Sequence, residues 1–387
     1  MDKPIRTLLV GVGGYGVNYV NHFLNGELDS ELLLVGAVDP YAINYECYER
    51  LASKVPVFNT MDEFFCKHDA ELVVLVTPIQ LHLDQCITAF NNGAHVLCEK
   101  PLVPSLKDLD TLEANTLGNI LAVGFQLCYS EVVLVLKQRV LAGEFGRPIQ
   151  FKGYVSWPRT WKYYGRNAWA GKLKTSDGAL VRDSVASNAT SHYIQNMLFM
   201  LGPSMEESAP LSNVQAECYR ANDIESFDTI AFKGRAGGAD VFYVATHAVN
   251  YTIQPTMDYI FENARITINL ASQEYECVIH HKDGRIEKMG HISGARSDSH
   301  LRAMARRISG QEAYICTAET VRPFTMFMDD IFTNVPIADF PKNMVITDHK
   351  AQATYVKNLH MDLLDCYNAV KLPSELGGYI NAQKIQL

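Results

Sequence analysis

Two side chains that can donate or accept protons stand at positions suited to chemistry, Lys100 and His192. Lys100 directly follows the apolar run Val96-Leu97-Cys98 and precedes Pro101. An ammonium group can stabilise an oxygen that gains negative charge, and an imidazole with a pKa of about 6.5 can take a proton from a hydroxyl. We interpret both as catalytic groups, against the simpler alternatives of an exposed lysine at a strand end and a stray surface histidine.

The neighbours of His192 support a functional interpretation. Segment 184–201 has the pattern of one helix that begins at Asp183 or Ser184 and ends at Gly202-Pro203. At about 100° per residue, one side of this helix is polar, with Ser184, Asn188, Ser191, His192 and Gln195. This side has no lysine, glutamate or arginine, which a solvated face usually has. We therefore predict that it faces a binding site, with Asn188 as a catalytic or substrate-binding partner of His192.

A glycine-rich turn near the N-terminus predicts the ligand that is bound beside Lys100 and His192. Residues 6–10 predict a strand, residues 17–24 have the apolar spacing of a helix, and a second strand, 32–38, ends at Asp39. Between the first strand and the helix, one glycine permits a tight turn, one lets the backbone approach a pyrophosphate, and one lets helix pack on strand. The helix N-terminus attracts phosphates. The pattern predicts dinucleotide binding by Gly11, Gly13, Gly14, Tyr15 and Gly16.

Asp39 indicates which dinucleotide is bound. A carboxylate at the end of the second strand can accept hydrogen bonds from the ribose hydroxyls and would repel a 2′-phosphate. No basic residue follows Asp39 until Arg50. The sequence therefore favours NAD over NADP. Because ligands of such sheets bind beyond the carboxyl ends of the strands, Lys100 is expected at the nicotinamide end of the site.

Composition excludes several classes of partner. The net charge of −9 and the pI of about 5.7 disfavour binding to nucleic acid. No apolar segment reaches the roughly 20 residues of a membrane helix, and the N-terminus does not have the pattern of a signal peptide. The nine cysteines are scattered and form no C-x-x-C pair, which favours a reducing cytoplasm. The spacing of cysteine and histidine predicts no metal site.

The order of predicted elements indicates an α/β protein with two domains. Residues 1–126 alternate strands and helices, which predicts a doubly wound parallel sheet. Residues 127–387 contain recurrent β-rich runs punctuated by turns, which predict an α+β domain with an open, largely antiparallel sheet for substrate binding and oligomerisation. The last predicted helix, 347–370, is expected to pack back on the first domain.

One segment of the second domain contains all three tryptophans and two arginines. Aromatic faces and guanidinium groups are typical of sites for carbohydrates or acidic sugars. The alternatives are a loop packed on the second sheet or an oligomer contact. The substrate-binding residues predicted here, together with Asn188, are Trp157, Arg159, Tyr163, Tyr164, Arg166 and Trp169.

These features together resemble the family of glucose–fructose oxidoreductase, inositol dehydrogenase and their relatives (the Gfo/Idh/MocA family). The resemblance extends over nearly the whole chain, and its most specific part is the stretch 93–102, which contains Glu99, Lys100 and Pro101. It implies a Rossmann domain followed by an open-faced substrate domain, and oxidation of a sugar or cyclitol hydroxyl or reduction of the ketone. It also implies further cofactor-binding residues, namely Thr77, Pro78, His82, Glu99, Lys100 and Pro101.

The sequence departs from the family at one position. The family usually has an aspartate four residues before the histidine, where this chain has Asn188. Asp183 lies nine residues before His192, which is the opposite side of a single helix. Either His192 works without a charged partner, or Asn188 contacts the substrate, or the chemistry differs from that of a simple dehydrogenase.

Three functions remain open on the sequence. The first is an NAD-dependent sugar, sugar-acid or cyclitol dehydrogenase. The second is a redox-neutral enzyme with tightly bound NAD, which cleaves a glycosidic bond or epimerises a centre through a keto-sugar. The third is a non-catalytic NAD-binding sensor. A broad second sheet would suit a homodimer or homotetramer.

Overall fold

The structure is a computed structural model that describes residues 3–292, 298–377 and 385–386. The chain divides into two compact units. The first comprises Met1–Tyr129 and Arg296–Val321, and the second comprises Ser130–Ala295 and Arg322–Leu387.

The first unit contains one six-stranded parallel sheet. Its elements in chain order are β1 (Ile5–Val10), α1 (Gly16–Leu24), β2 (Leu32–Val38), α2 (Tyr48–Ala52), β3 (Val57–Phe58), α3 (Met61–Phe65), β4 (Leu72–Leu75), α4 (His82–Asn91), β5 (His95–Cys98), α5 (Leu106–Ala114) and β6 (Leu121–Val123). The strand order is β3-β2-β1-β4-β5-β6, and every pairing is parallel. The order reverses between β1 and β4, which is where sheets of this type open a crevice for ligands.

The second unit is built around a ten-stranded sheet. Its elements before the second part of the first unit are α6 (Glu131–Leu141), β7 (Pro148–Ser156), α7 (Trp161–Tyr164), α8 (Ser191–Leu201), β8 (Ser212–Arg220), β9 (Thr229–Ala236), β10 (Ala239–Thr246), β11 (Ile253–Phe261), β12 (Ala264–Asn269), β13 (Cys277–His281) and β14 (Ile286–Gly290). The chain then passes through α9 (Ser299–Ile308), which belongs to the first unit, and α10 (Ala318–Asn334), which leads from the first unit into the second. The last elements of the second unit are β15 (Ile337–Asp339), β16 (Val345–Asp348), β17 (Ala353–Val356), α11 (Leu359–Ala369) and β18 (Ile385–Gln386).

The large sheet is mixed, with antiparallel pairs in the majority. Its order is β14-β13-β12-β11-β7-β10-β9-β8-β15, and β18 also pairs with β8. Two pairs are parallel, β7 with β10 and β8 with β15. The predicted fold class is confirmed: a doubly wound parallel sheet in the first unit and a largely antiparallel sheet in the second.

The end of the chain differs from the prediction of one helix over 347–370. The structure has an antiparallel hairpin, β16 with β17, and then the shorter helix α11. Leu359, Leu363 and Cys366 of α11 pack in a buried cluster with Tyr154 of β7 and Phe242 of β10. The last helix therefore packs on the large sheet of its own unit. The part of the chain that returns to the first unit is 296–321, which contains α9.

Candidate active site

The glycine turn of the first unit has the tight geometry that its pattern predicts. Gly11 has a φ of 88°, and a Cβ added there would lie 2.5 Å from the carbonyl oxygen of Val76. A Cβ on Gly16, the first residue of α1, would lie 2.3 Å from the carbonyl oxygen of Gly11. Both glycines are required by close backbone packing between β1, α1 and the end of β4. Gly14 has a φ of 55° and nothing within 4 Å of the place of a Cβ, so its backbone is open to a ligand.

The N-terminus of α1 can accept an anion. Within the described part of the chain, α1 has neither a side-chain cap nor an acidic residue in its first turn. Two of its first N–H groups donate to the carbonyl oxygens of Gly13 and Tyr15, and the positive end of the helix dipole there favours phosphate oxygens. Tyr15, at the N-cap position, is half exposed, and its hydroxyl accepts a hydrogen bond of 2.5 Å from the Nε2 of Gln126. Gly13 contacts Tyr45: an added Cβ would lie 2.2 Å from the Cζ of that ring. Tyr45, whose position beside the glycine turn has no signal in the sequence, thus packs against the turn.

Asp39 is held in place by backbone donors. The N–H of Val12 donates to Oδ2 at 3.0 Å, and the N–H of Tyr41 donates to Oδ1 at 2.9 Å. The carboxylate is therefore fixed beside the glycine turn while each oxygen keeps further acceptor capacity. Arg50, the first basic residue after it, is exposed and donates to the Oδ1 of Asn21 at 3.4 Å.

His82 is buried and connects two strand ends. Its Nε2 lies 2.8 Å from the carbonyl oxygen of Thr77, and its Nδ1 lies 3.0 Å from that of Leu102 and 3.1 Å from that of Pro101. Burial lowers the pKa of His82, although the three carbonyl groups oppose this shift. Both ring nitrogens thus lie within hydrogen-bond distance of backbone carbonyl oxygens, and since a neutral imidazole has one N–H, it donates on one side at a time. His82 lies between the segments that follow β4 and β5. Thr77 also donates its hydroxyl to the Oε1 of Gln85 at 2.5 Å, and the carbonyl of Pro78 accepts from the N–H of Leu81 at 2.9 Å.

The residue before Lys100 is part of a buried hydrogen-bonded chain. Glu99 accepts from the hydroxyl of Tyr19 at 2.5 Å and from the backbone N–H of Lys100 at 3.1 Å. The Tyr19 hydroxyl also lies 2.7 Å from the Nε2 of His300, which belongs to α9. Burial raises the pKa of Glu99, and the Tyr19 hydrogen bond and the Lys100 charge lower it. The hydrogen bonds of Glu99 therefore fix the backbone at Lys100 to α1.

Lys100 itself lies directly beyond the carboxyl end of β5, as its position in the sequence predicts. It is half-buried, and its peptide bond to Pro101 is cis. The strand β5 adjoins β4, which adjoins β1. Lys100 therefore lies at the same edge of the sheet as the glycine turn and Asp39.

In the second unit, His192 lies at the start of α8, and the prediction of one continuous helix over 184–201 is wrong. Ser184 caps a π-helical turn, Val185–Ala189, by accepting from the N–H of Ser187 at 3.0 Å, and the α-helix begins only at Ser191. Arg182 has a φ of 53°, so the chain turns sharply just before Asp183. An angular count at 100° per residue therefore does not apply between Asp183 and His192.

Asp183, which a single straight helix would place on the side opposite His192, is a candidate functional residue in the structure. It is buried, and its Oδ1 accepts a 2.8 Å hydrogen bond from the Nδ2 of Asn188. Its Oδ2 accepts from the N–H of Gly171 at 2.7 Å and lies 3.9 Å from a guanidinium nitrogen of Arg166. Asp183 therefore brings together two segments that the sequence predicted separately, the polar turn with Asn188 and the aromatic segment with Arg166. Other polar residues of the predicted stripe are core residues, since Gln195 is fully buried and donates to Ser208 at 3.0 Å.

The tryptophans of the aromatic segment use their N–H groups within the second unit. Trp157 donates to the Oε1 of Gln254 at 3.1 Å, and Trp161 donates to the Oγ1 of Thr354 in β17 at 3.0 Å. Trp161 thus helps to attach the segment to the hairpin, which supports part of the packing alternative. Trp157 also lies edge-on to Tyr193, the neighbour of His192, with ring centroids 5.8 Å apart.

The two tyrosines of this segment lie edge to face at 5.2 Å, and burial raises the pKa of both Tyr163 and Tyr164. Arg159 and Arg166 flank the ring of Tyr163, and Arg166 also lies 5.1 Å from the ring centroid of Trp169.

Neither a metal centre nor a membrane span is found in the described residues. No group of three or more histidine, cysteine, aspartate or glutamate side chains there could hold a metal ion. No helix within the same ranges combines the length and apolar character needed to cross a bilayer.

Comparison with known proteins gives a family match for residues 5–125. Residues 5–125 match the family described as "Oxidoreductase family, NAD-binding Rossmann fold" (Gfo/Idh/MocA). A curated relative, the scyllo-inositol 2-dehydrogenase (NAD(+)) of Bacillus subtilis, is 28% identical over 157 residues, which are 40% of this chain and 45% of the relative. The match thus spans less than half the length of that relative.

Solved structures share the whole fold at low sequence identity. The WlbA dehydrogenase from Bordetella pertussis, in complex with NADH and UDP-GlcNAcA, aligns with a TM-score of 0.69 at 21% identity, over 84% of this chain and 95% of that one. The myo-inositol 2-dehydrogenase from Lactobacillus plantarum aligns with a TM-score of 0.64 at 18% identity, over 85% of this chain and 98% of that one.

Proposed function

We propose that this protein oxidises a hydroxyl of a sugar, sugar acid or cyclitol with NAD, or reduces the corresponding ketone, because residues 5–125 match the NAD-binding Rossmann fold of the Gfo/Idh/MocA oxidoreductases. One observation carries the proposal. The glycine turn, the fixed carboxylate of Asp39 and the amine-bearing residue Lys100 all lie at the carboxyl edge of one parallel sheet. That edge is where such sheets bind dinucleotides.

The residues present fit an NAD molecule. The open backbone at Gly14 and the N–H groups at the start of α1 would hold the pyrophosphate. Asp39 would accept hydrogen bonds from the adenosine ribose, and its charge favours NAD over NADP. When bound, NAD supplies the hydride acceptor.

Side chains of the protein would accept the proton of the substrate hydroxyl and stabilise the negative charge that develops on its oxygen. In our proposal, His192 takes the proton of the carbinol hydroxyl as general base. Lys100 donates a hydrogen bond to the oxygen as it becomes negative. Asn188 binds a substrate hydroxyl, and the carboxylate of Asp183 orients its amide through the 2.8 Å hydrogen bond. This pair would partly replace the aspartate that the family usually has at position 188.

A substrate panel tests the proposal. NADH formation is followed with neutral sugars, sugar acids and cyclitols for the wild type and for Lys100→Ala and His192→Ala, and NADH affinity is measured by fluorescence titration. We expect each substitution to lower turnover by about 100-fold or more while NADH affinity stays within a few-fold. Full activity in both variants would refute the assignments. Tightly bound NAD with substrate conversion but no net NADH would indicate the redox-neutral cycle.

Location and assembly are part of the proposal. All nine cysteines lie in the described ranges as free thiols, and eight of them are buried, which fits a reducing cytoplasm. We also propose a homodimer or homotetramer. Light scattering coupled to size-exclusion chromatography would test the assembly, and a strictly monomeric mass would reject it.

A further inference from the structure

Two arginines of the second unit share the ring of one tyrosine. The guanidinium carbon of Arg166 lies 3.8 Å from the ring centroid of Tyr163, and that of Arg159 lies 4.6 Å from the same centroid. Arg159 also lies 5.6 Å from the ring of Trp157. Stacking on aromatic rings holds a guanidinium group in a fixed plane and leaves its N–H edge for a polar partner.

The negative charge next to these arginines is small. Asp183 lies 3.9 Å from Arg166, but its oxygens already accept from Gly171 and Asn188. Across the described ranges, no carboxylate lies within ion-pair distance of Arg159, whose Nε is buried without a hydrogen-bond partner. The Nη1 of Arg159 makes a long contact of 3.4 Å to the carbonyl of Pro158, and the Arg159 side chain also forms a hydrogen bond with the neutral hydroxyl of Tyr163. A partly buried cation in this state is costly unless an anion offsets it.

The positive charge of the two arginines also lowers the pKa of a neighbouring histidine, His247. His247 is buried, and its Nδ1 lies 2.8 Å from the carbonyl oxygen of Trp157. Burial, and then the charges of Arg159 and Arg166, lower the pKa of His247 to about 3. Two guanidinium groups therefore stand against one carboxylate in ion-pair contact, that of Asp183 beside Arg166, in a chain whose net charge is −9.

We propose that Arg159 and Arg166 bind an anionic group of the substrate, a carboxylate or a phosphate, so that the enzyme acts on an acidic sugar rather than a neutral one. The inference rests on the proposed function and specifies its substrate class. A planar guanidinium fork matches the oxygens of either anion. Through Asp183, Arg166 is linked to Asn188, four residues before His192, so the anion would be bound beside the segment that carries the proposed base.

Calorimetric titration of the full-length protein saturated with NADH tests this inference without turnover. The probes are D-glucuronate, D-glucose 6-phosphate and, as the neutral match, D-glucose. We expect at least one acidic probe to bind about 10-fold or more tightly than glucose, with an affinity that falls as salt is added. The probe that binds identifies the anion as a carboxylate or a phosphate.

Arg159→Gln should weaken binding of the acidic probe by about 10- to 100-fold, because it removes a charge-assisted hydrogen bond, and should leave the affinity for NADH unchanged. Arg147→Gln is the matched control, since the Arg147 side chain is 85% exposed in the same unit, and it should change none of these affinities. Thermal melts of both variants check that they are folded.

Two results would overturn the inference: equal affinity for glucose and both acidic probes, or no response to either acidic probe. If NADH still binds and a neutral sugar is oxidised, only the substrate class is wrong. If NADH does not bind, the proposed function itself fails.

Discussion

Replacing Asp39 by asparagine should relax the preference of this protein for NADH over NADPH. Two unit charges 4 Å apart interact with about 4 kcal/mol at an effective dielectric constant of 20. For a half-buried carboxylate beside a partly hydrated 2′-phosphate, we expect about half of this, roughly 2 kcal/mol, to remain. The wild type should therefore bind NADPH about 30-fold more weakly than NADH. In Asp39→Asn the repulsion is removed, and the ratio should fall to a few-fold.

The structure also predicts a cost of this substitution. Both oxygens of Asp39 accept backbone N–H groups, from Val12 and Tyr41, whereas asparagine has a single acceptor oxygen. One donor loses its partner, which should reduce the free energy of unfolding by about 1–3 kcal/mol. Fluorescence titrations with NADH and NADPH, together with thermal melts, measure both effects.

The matched control is Asp69→Asn, which removes the same charge from a side chain of the same unit that is 84% exposed. It should leave the ratio of the two affinities and the melting temperature almost unchanged. A wild type that binds NADPH as well as NADH, or an Asp39→Asn variant that keeps the wild-type ratio, would refute the role assigned to Asp39.

Three further predictions concern the groups that support the site. Lys137→Met should lower the free energy of unfolding by about 2 kcal/mol in urea titrations, because the fully buried ammonium donates to the carbonyl oxygens of Phe199 and Gly202 at the end of α8; an unchanged stability would contradict this. Tyr19→Phe should lower the melting temperature and the turnover but not NADH affinity, since it leaves buried Glu99 without the hydroxyl donor; a variant equal to wild type in turnover would remove the positioning role. Burial lowers the pKa of His300 to about 4, so this histidine stays neutral in the folded state and gains a proton on unfolding below its unfolded pKa of about 6.5. Its contribution to stability is therefore complete above that value and falls by about 2 kcal/mol on acidification to about pH 5. Urea titrations at several pH values in this range should show that loss, and the free energy of unfolding of His300→Phe should fall less steeply with decreasing pH. An equal pH dependence in the two proteins would contradict the assigned pKa.

The glycine turn and Asp39 were predictable because their signals are local. The φ of 88° at Gly11 and the contact of Gly16 with the carbonyl of Gly11 both arise within one strand–turn–helix unit, and the end of the second strand places Asp39 beside it. Lys100 was predictable for the same reason, since the apolar strand before it determines the edge at which it lies.

The environment of His192 was not predictable from helical periodicity. The left-handed residue Arg182 and the π-helical turn after Ser184 change the direction of Asp183, and neither has a strong signature in sequence. A straight helix over this segment would consequently place the carboxylate that binds Asn188 on the opposite side from His192. The pairing of Glu99 with Tyr19 and His300 was likewise missed, because these partners come from distant parts of the chain.

The C-terminal region shows how a short turn can be missed in a helix-like segment. The predicted helix 347–370 is interrupted by the hairpin turn at 349–352, where Lys350 and Ala351 donate backbone N–H groups to the side chain of Asp348. Asn358, with a φ of 59°, then starts a helix that packs on the large sheet. Asp348 and Asn358 are both residue types that favour turns, and only the tertiary packing decides between turn and helix.

The central claim is that Lys100 and His192 serve the same hydride-transfer step, and a double-variant cycle tests it most directly. Single-turnover formation of NADH is measured for the wild type, Lys100→Ala, His192→Ala and the double variant at saturating NAD and substrate. Groups that act on one transition state are not additive, so the double variant should be little slower than the slower single variant. Rate losses that multiply fully in the double variant, or single variants that transfer hydride at the wild-type rate, would contradict the account.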